Sequence, residues 1–394
     1  MAGRVVLFGA TGYTGRLAAE AMAERGMKPV LAGRSPDKCR RLSEELGGGF
    51  ETAGADVADP PSVRALVEKG DVLVTTVGPF LRWGAPAAAT GSTVGAHYID
   101  STGEPPFIRE VFDRYGPVAE GSGCGMLTAF GYDWVPGNLA AGLALERAGG
   151  AAVRVDTGYF LTGAASMSGG TKASLVGVVN APAFAFREGR VRSERAAKRV
   201  RSFRVGSREL AGVSVGSSEH FALPRIAPQL REVNSYLGWF GPAARAMQAF
   251  SAGTDLAMKL PGVEGLWNAL GERLAKGSTG GPDAAARAKG GSHVVAIAYD
   301  ATGSELSEVH VTGVDGYTFT GRMLAWGAER VAAGALRGNG ALGPVDAFGL
   351  DELVEGCAWA GISEKGGDAP GSQETPGKPG ERTRDAPLAD SSVS

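Results

Sequence analysis

The chain has 394 residues, with 40 Lys and Arg against 42 Asp and Glu and a net charge of −2. That length suggests two domains, and the even charge balance argues against a nucleic-acid partner, which needs a basic patch. Cys39, Cys124 and Cys357 and the four histidines, at positions 97, 220, 293 and 310, show no metal-ligand spacing. No metal site is therefore expected, and a reducing, cytoplasmic compartment is. No apolar run reaches the roughly 18 residues of a membrane span, and the first apolar run reads as a strand rather than a signal peptide.

That first run, Val5 to Phe8, leads into Gly9, Gly12 and Gly15 and then into a helix-forming stretch, Arg16 to Glu24. Strand, glycine turn and helix together form the context in which a glycine pattern points to a dinucleotide. Gly9 permits the tight turn, Gly12 lets backbone N–H groups approach a pyrophosphate, and Gly15 lets the helix lie close to the strand. Ala10, Thr11, Tyr13 and Thr14 complete the predicted cofactor turn, and the helix N-terminus adds partial positive charge. Pro29 to Ala32 is the second strand, followed by Gly33-Arg34-Ser35. No acidic residue stands where an NAD-type site anchors the ribose 2′-OH. Arg34 and Ser35 occupy that place, and a guanidinium suits a 2′-phosphate, so NADP (NADPH) is the expected cofactor.

Asp37 to Leu46 reads as a helix ended by Gly47, and Phe50 to Ala55 as a third strand. Asp56 either lies beside the adenine or caps a helix from Pro60 to Lys69. Asp71 to Thr76 is the fourth strand. Its end, Val77-Gly78-Pro79-Phe80, falls at the carboxyl edge of a parallel sheet, where ligands bind. A helix from Gly84 to Gly95 follows, then a strand, His97 to Asp100, running into Ser101-Thr-Gly103-Glu104. Glu104 to Tyr115 is helical, and Gly125 to Phe130 is the sixth strand. This alternation predicts a Rossmann-type, doubly wound α/β domain over residues 1–137.

From residue 138 the pattern changes, predicting an α+β substrate domain with an antiparallel sheet over 138–316. Asn138 to Ala148 reads as a helix and Ala152 to Leu161 as a strand. Ser168-Gly-Gly-Thr171-Lys172 opens a helix, either as a donor turn or as a simple cap. Arg187 to Arg208 reads as a solvated basic hairpin, and Ser217, Glu219 or His220 could reach a site. Tyr236 to Ala275 is apolar and reads as short helices, suited to core, acyl-pocket or homodimer contacts. Ser292 to Asp300 and Glu305 to Thr312 alternate as a β-hairpin. Helices over Tyr317 to Leu336 and Asp346 to Ala360 would pack back on the core as a unit of residues 317–362. Residues 363–394 hold little apolar material and read as disordered.

Gly-Ala-Thr-Gly-Tyr-Thr-Gly (9–15), Ala-Gly-Arg-Ser (32–35), Val-Gly-Pro-Phe (77–80), Tyr-Ile-Asp-Ser-Thr-Gly-Glu (98–104), Gly-Tyr-Asp-Trp-Val-Pro (131–136) and Ser-Gly-Gly-Thr (168–171) together resemble the saccharopine dehydrogenase-like superfamily. Within it they are most similar to the trans-acting enoyl reductases of actinobacterial polyketide and lipid biosynthesis. The resemblance runs to about residue 362. Trp134 departs from it, standing where that pattern has a small residue, often Ser. The resemblance implies reduction of a polarised double bond on a carrier-bound or other acyl substrate, with a polyketide synthase as partner.

Such chemistry needs a hydride from the cofactor, donors for the thioester oxygen and a proton donor. Thr171 and its turn are candidates for the first protein task, and Tyr132 and Lys172 for the second, with Tyr98, Asp100 and Asp133 as alternatives. Three functions follow: an enoyl reductase acting in trans, a C=N (imine) oxidoreductase, and a non-catalytic NADP-binding sensor or scaffold. The apolar 236–275 stretch favours the first over the second, because an imine amino acid needs charged anchors.

Overall fold

In the computed structural model the described residues are 3–163, 183–239, 241–257 and 280–365. Apolar runs buried on both faces build the first sheet, as expected where helices cover both sides of parallel strands. Its strands are β1 (Val5–Phe8), β2 (Val30–Gly33), β3 (Thr52–Gly54), β4 (Val72–Thr75), β5 (His97–Asp100), β6 (Gly125–Leu127) and β15 (Gly340–Ala341). Their order is β15-β6-β5-β4-β1-β2-β3, and every pair is parallel. The reversal of strand order beside β1 makes the switch point at which such sheets bind ligands.

Around this sheet lie α1 (Tyr13–Glu24), α2 (Pro36–Glu45), α3 (Pro60–Arg64), α4 (Phe80–Trp83), α5 (Ala85–Val94), α6 (Pro105–Glu110) and α7 (Gly116–Ser122). The predicted helix over 104–115 divides into α6 and a π-helical turn, Val111–Tyr115. The chain then crosses along α8 (Val135–Ala148), which packs against a second sheet.

That sheet holds β7 (Arg154–Gly163), β8 (Ala183–Arg187), β9 (Arg190–Glu194), β10 (Val200–Val205), β11 (Arg208–Val215), β12 (Glu232–Leu237), β13 (Gly290–Tyr299), β14 (Glu305–Val314) and β16 (Ile362–Glu364). It is mixed rather than wholly antiparallel. β12 runs parallel to β7, from Glu232 beside Arg154 to Leu237 beside Tyr159, and all the other pairs are antiparallel. The parallel pair arises because the chain leaves β7 and returns to its edge only after four further strands and α9 (Glu219–Ile226). Tyr236 and Leu237, the first two residues of the stretch expected to be helical, thus end a central strand. Helix follows only in α10 (Ala244–Ala257); 258–275 of that stretch lies outside the described residues.

After the short α11 (Ala284–Ala288) and the β13–β14 hairpin, α12 (Gly316–Ala332) packs on α1, returning the chain to the first sheet. The last predicted helix divides into α13 (Pro344–Phe348) and α14 (Leu350–Ala360) at Gly349, whose φ is 87°. One apolar core runs from the first sheet through α8 to Val294, Ala296, Val309 and Val311 on the near face of the second sheet. Phe160, Phe203, Tyr236, Val295 and Ile297 form a separate cluster on its far face. Among the described residues no helix is long and apolar enough to cross a membrane.

Candidate active site

The switch point carries a cavity of about 670 Å³. It is lined by the glycine turn (Gly9, Thr11, Gly12), the β2–α2 turn (Gly33, Arg34, Ser35, Lys38), Asp56 to Ala58, Thr76 to Gly78, and Trp83. The glycines shape it. Gly9 has φ of 89°, and a Cβ there would lie 2.8 Å from Thr76 Oγ1. A Cβ on Gly15 would fall on the Gly9 carbonyl, so α1 can approach β1 this closely only without a side chain. Gly12 caps α1 with extended backbone; its Cβ would sit 3.3 Å from the Gly9 oxygen, a tight but smaller intrusion. A helix start opening on a cavity in this way favours an anion.

The cavity's far end is cationic. Ser35 caps α2 by accepting from the Lys38 N–H at 3.4 Å, which sets Arg34 and Lys38 one turn apart on the rim. No carboxylate from this turn lines the cavity, and Arg34 makes no ion pair among the described residues. Lys38, Thr76 and Trp83 were not singled out from sequence; Lys38 follows the Arg-Ser pair by one helical turn, which was the available signal. Asp56 lines the wall, and its Oδ1 accepts from Ala58 N–H at 3.0 Å. The N-cap of α3 is Asp59 instead.

Several predicted residues support this wall from behind. Ala10 is buried, its N–H on the Ala32 carbonyl. Tyr13 turns away: its hydroxyl donates to the Pro282 carbonyl at 2.5 Å, receives Arg287 at 3.2 Å, and its ring meets Tyr317 edge-on. Thr14 is half-buried in the first turn of α1. The Gly78–Pro79 peptide is cis. Phe80 is buried against Phe107. Glu104 receives the Phe80 N–H at 2.8 Å and the Leu81 N–H at 3.0 Å, so it fixes the α4 start rather than lining the cavity. Ser101 is half-buried on the loop after β5. Gly103 adjoins Asp133, whose Oδ2 would be 2.8 Å from a Cβ at that position.

The catalytic candidates separate clearly. Thr171 and Lys172, with the Ser168 turn, lie outside the described residues. Tyr132 is buried, its hydroxyl donating to the Phe160 carbonyl at 3.3 Å, and burial drives its pKa far up. It does not line the cavity. Tyr98 is wholly buried and its hydroxyl likewise raised by burial. Asp100 is wholly buried; its oxygens receive Thr102 N–H and Ala129 N–H at 2.9 Å and the Thr128 hydroxyl at 2.8 Å. Burial lifts its carboxyl to about 6 against those bonds. Asp133 is different: half-buried, beside Gly103 at the carboxyl edge of β5, with its pKa pushed up to about 6 by desolvation. A carboxyl so tuned can hold or release a proton near neutrality, though like Tyr132 it does not line the cavity. His220 is structural, bonded through Nδ1 to Ser217, edge-on to Phe184, and depressed to about 3 by burial.

With this geometry stands a set of relatives. A Mycobacterium tuberculosis protein named, provisionally, as a trans-acting enoyl reductase is 30% identical over 407 aligned positions, covering 91% of this chain and 96% of that one. The chain belongs to the trans-acting enoyl reductase family. Trans-acting enoyl reductases of Mycobacterium tuberculosis and Mycobacterium ulcerans are 36% and 35% identical over 140 residues, 34% of each chain. Saccharopine dehydrogenase (L-Glu forming) from Saccharomyces cerevisiae shares the fold: TM-score 0.55, 14% identity, 92% of this chain and 99% of that one. No family model matches the chain. This member of the family is an oxidoreductase.

Proposed function

We propose that the chain is an NADPH-dependent reductase acting in trans on the polarised C=C of an enoyl thioester held on a carrier, with a polyketide synthase as the source of that substrate. The observation that carries the cofactor choice is the cavity end built from Arg34, Ser35 and Lys38 with no carboxylate among them. Two cations and a hydroxyl suit a 2′-phosphate, and the ribose hydroxyls of NADH would find no acidic acceptor there. The glycine turn, closed to any side chain at Gly9 and Gly15, fits a pyrophosphate lying against backbone,. When bound, the cofactor supplies the hydride.

The chain's own residues do the rest. Val77 and Gly78, held by the Glu104 clamp on the start of α4, form the wall at the carboxyl end of β4. Asp133 gives a proton to the α carbon once hydride has been added at the β carbon, and the carboxylate left behind is reprotonated from water. Its raised pKa keeps a useful share protonated near pH 6 to 7,. Thr171, with the N–H groups of the Ser168–Thr171 turn, is proposed as donor to the thioester oxygen on the strength of the sequence motif alone. The test is NADPH oxidation by the purified chain with enoyl thioesters and, as the competing panel, cyclic imines. Enoyl thioester turnover that falls by roughly a hundredfold in Asp133→Asn, in keeping with loss of one general acid, supports the reading. Turnover of imines alone overturns it.

A further inference from the structure

Behind Asp133 lies a buried carboxyl that the mechanism above does not use. Glu219, at the start of α9, is wholly buried and forms no ion pair among the described residues. Its Oε1 stands 2.6 Å from the Tyr159 hydroxyl oxygen, which is also 3.0 Å from the Trp134 carbonyl. Its Oε2 has no hydrogen-bond partner among the described residues.

The hydrogens can be counted. Tyr159 has one, and it has two acceptors within reach. If Glu219 is ionised, that single hydrogen serves both contacts, and a buried negative charge is left with Oε2 unbonded and no cation, held only by Tyr159 and the weaker pull of the Ser217 hydroxyl and its own backbone N–H, which is costly,. If Glu219 carries a proton, each contact has its own hydrogen. Glu219 O–H donates to Tyr159, and Tyr159 O–H donates to Trp134. The groups around the pair agree. β7 presents only Tyr159. α8 presents uncharged Gly137, with no room for a Cβ over the pair, and Asn138, whose amide donates to the Trp134 carbonyl at 3.0 Å. α9 adds His220, held neutral by burial. The loop before α8 brings Asp133, a second carboxyl, whose charge opposes ionisation of Glu219. Burial first, and Asp133 with it, push the Glu219 carboxyl up to about 7, against the pull of the Tyr159 and Ser217 hydroxyls.

We propose that Glu219 works as a neutral carboxylic acid and is a positioning residue for the reduction: by donating to Tyr159 it fixes the Trp134 carbonyl, and so holds the neighbouring Asp133 at the edge of the first sheet. The positioning role rests on the reading of Asp133 as proton donor; the neutral acid does not.

Two measurements on the full chain, the first with NADP+ bound and the second with NADPH as reductant, keep these apart. The infrared difference spectrum of wild type minus Glu219→Gln at about pH 6 should show the carbonyl stretch of a protonated carboxyl. Its absence overturns the neutral acid, whatever the substrate. Turnover should fall at least tenfold in Glu219→Ala with KM little changed. Glu219→Gln, which keeps a neutral donor to Tyr159, should recover most of that loss and should weaken the decline of kcat above about pH 7. A Gln variant as slow as the Ala variant, or an Ala variant as fast as wild type, overturns the positioning role. If Glu219→Ala does not fold, the spectrum and the Gln variant still decide.

Discussion

Arg34 and Lys38 sit on the cavity rim at one end of α2, and each is well placed to meet a phosphate. Their contributions differ in kind. A guanidinium offers a planar pair of donors, whereas an ammonium offers a point charge. One charge-assisted hydrogen bond contributes about 1.5–3 kcal/mol, so Arg34→Ala should weaken NADPH binding roughly 10- to 100-fold. Lys38→Ala should weaken it less, and neither should alter NADH binding by more than about threefold. Fluorescence titration with both cofactors checks this. Equal losses for NADPH and NADH would show that the two side chains merely support the turn. Sequence alone placed Arg34, because it fills the position of the missing acid, but it passed over Lys38. The helix brings Lys38 to the rim, and only its cap at Ser35 could have told that from the sequence.

At the scale of elements, β1 and α1 meet where Gly9 and Gly15 touch. Gly15→Ala sets a methyl group on the Gly9 carbonyl, and backbone cannot give as a flexible side chain can. It should destabilise the fold by about 1–3 kcal/mol as well as abolish NADPH binding. Gly12→Ala meets the same oxygen at 3.3 Å on the cavity side, so it should weaken NADPH binding while leaving the melting temperature within a few degrees. Thermal melts with and without NADPH separate the two. Most strands of the first sheet were legible as short apolar runs ending in a turn, as in Val5–Phe8 and Val72–Thr75, but the two-residue edge strand β15, Gly340–Ala341, carries no such signal and was missed. β12 was missed too, since Glu232-Val-Asn-Ser-Tyr-Leu237 mixes polar residues into a buried strand. Its Asn234 is bonded to Asp156 at 2.6 Å across the parallel pair with β7, a partner 78 residues away. α7 was hidden by Gly116-Pro117, which signals a turn in sequence but serves here as a helix start,. Trp134, bulky where a small residue was expected, is buried edge-on to Tyr159 at 5.1 Å and packs the junction of loop and α8. The residues that line the cavity were therefore largely readable from motifs, while the buried groups around Asp133 come from residues scattered between 134 and 219 that no local pattern joins.

Across the whole molecule, buried ionisable groups set the pH at which the fold is most stable. Burial lifts Asp100, Asp133 and Asp346 to about 6 from an ordinary 3.8, and Glu219 to about 7 from 4.5. A raised carboxyl keeps its proton in the fold after the unfolded chain has lost it. Its stabilising share is full below about pH 4 and is lost as pH rises through 6 to 7. Three histidines, His97, His220 and His293, act in the other sense, all lowered by burial. Burial holds His220 at about 3 and His293 at about 4, below the ordinary 6.5, so their share is full above that value and is lost on acidification. Between about pH 4.5 and 6 four carboxyls oppose three histidines, and each group changes the stability by roughly 1.4 kcal/mol for every tenfold change in proton concentration between its folded and unfolded values, so the carboxyls prevail there; from about 6 to 6.5 only Glu219 still opposes the histidines, which recover part of the loss. Below about pH 4 the balance turns, because Glu194 and Glu364 are held low, Glu194 by its pairing with Arg199 in spite of burial and Glu364 by Arg147, and protonation breaks those pairs. The melting temperature should therefore peak near about pH 4.5 and be lower at pH 7 to 8. Glu219→Gln, neutral at every pH, should flatten that fall and gain on wild type as pH rises from about 4.5 to above 7. Calorimetry of the two proteins over that range measures both effects. A wild-type melting temperature that climbs from pH 5 to 8, or a Gln variant that loses ground over the same interval, would show that these carboxyls are ionised in the fold and that the acid behind Asp133 is charged.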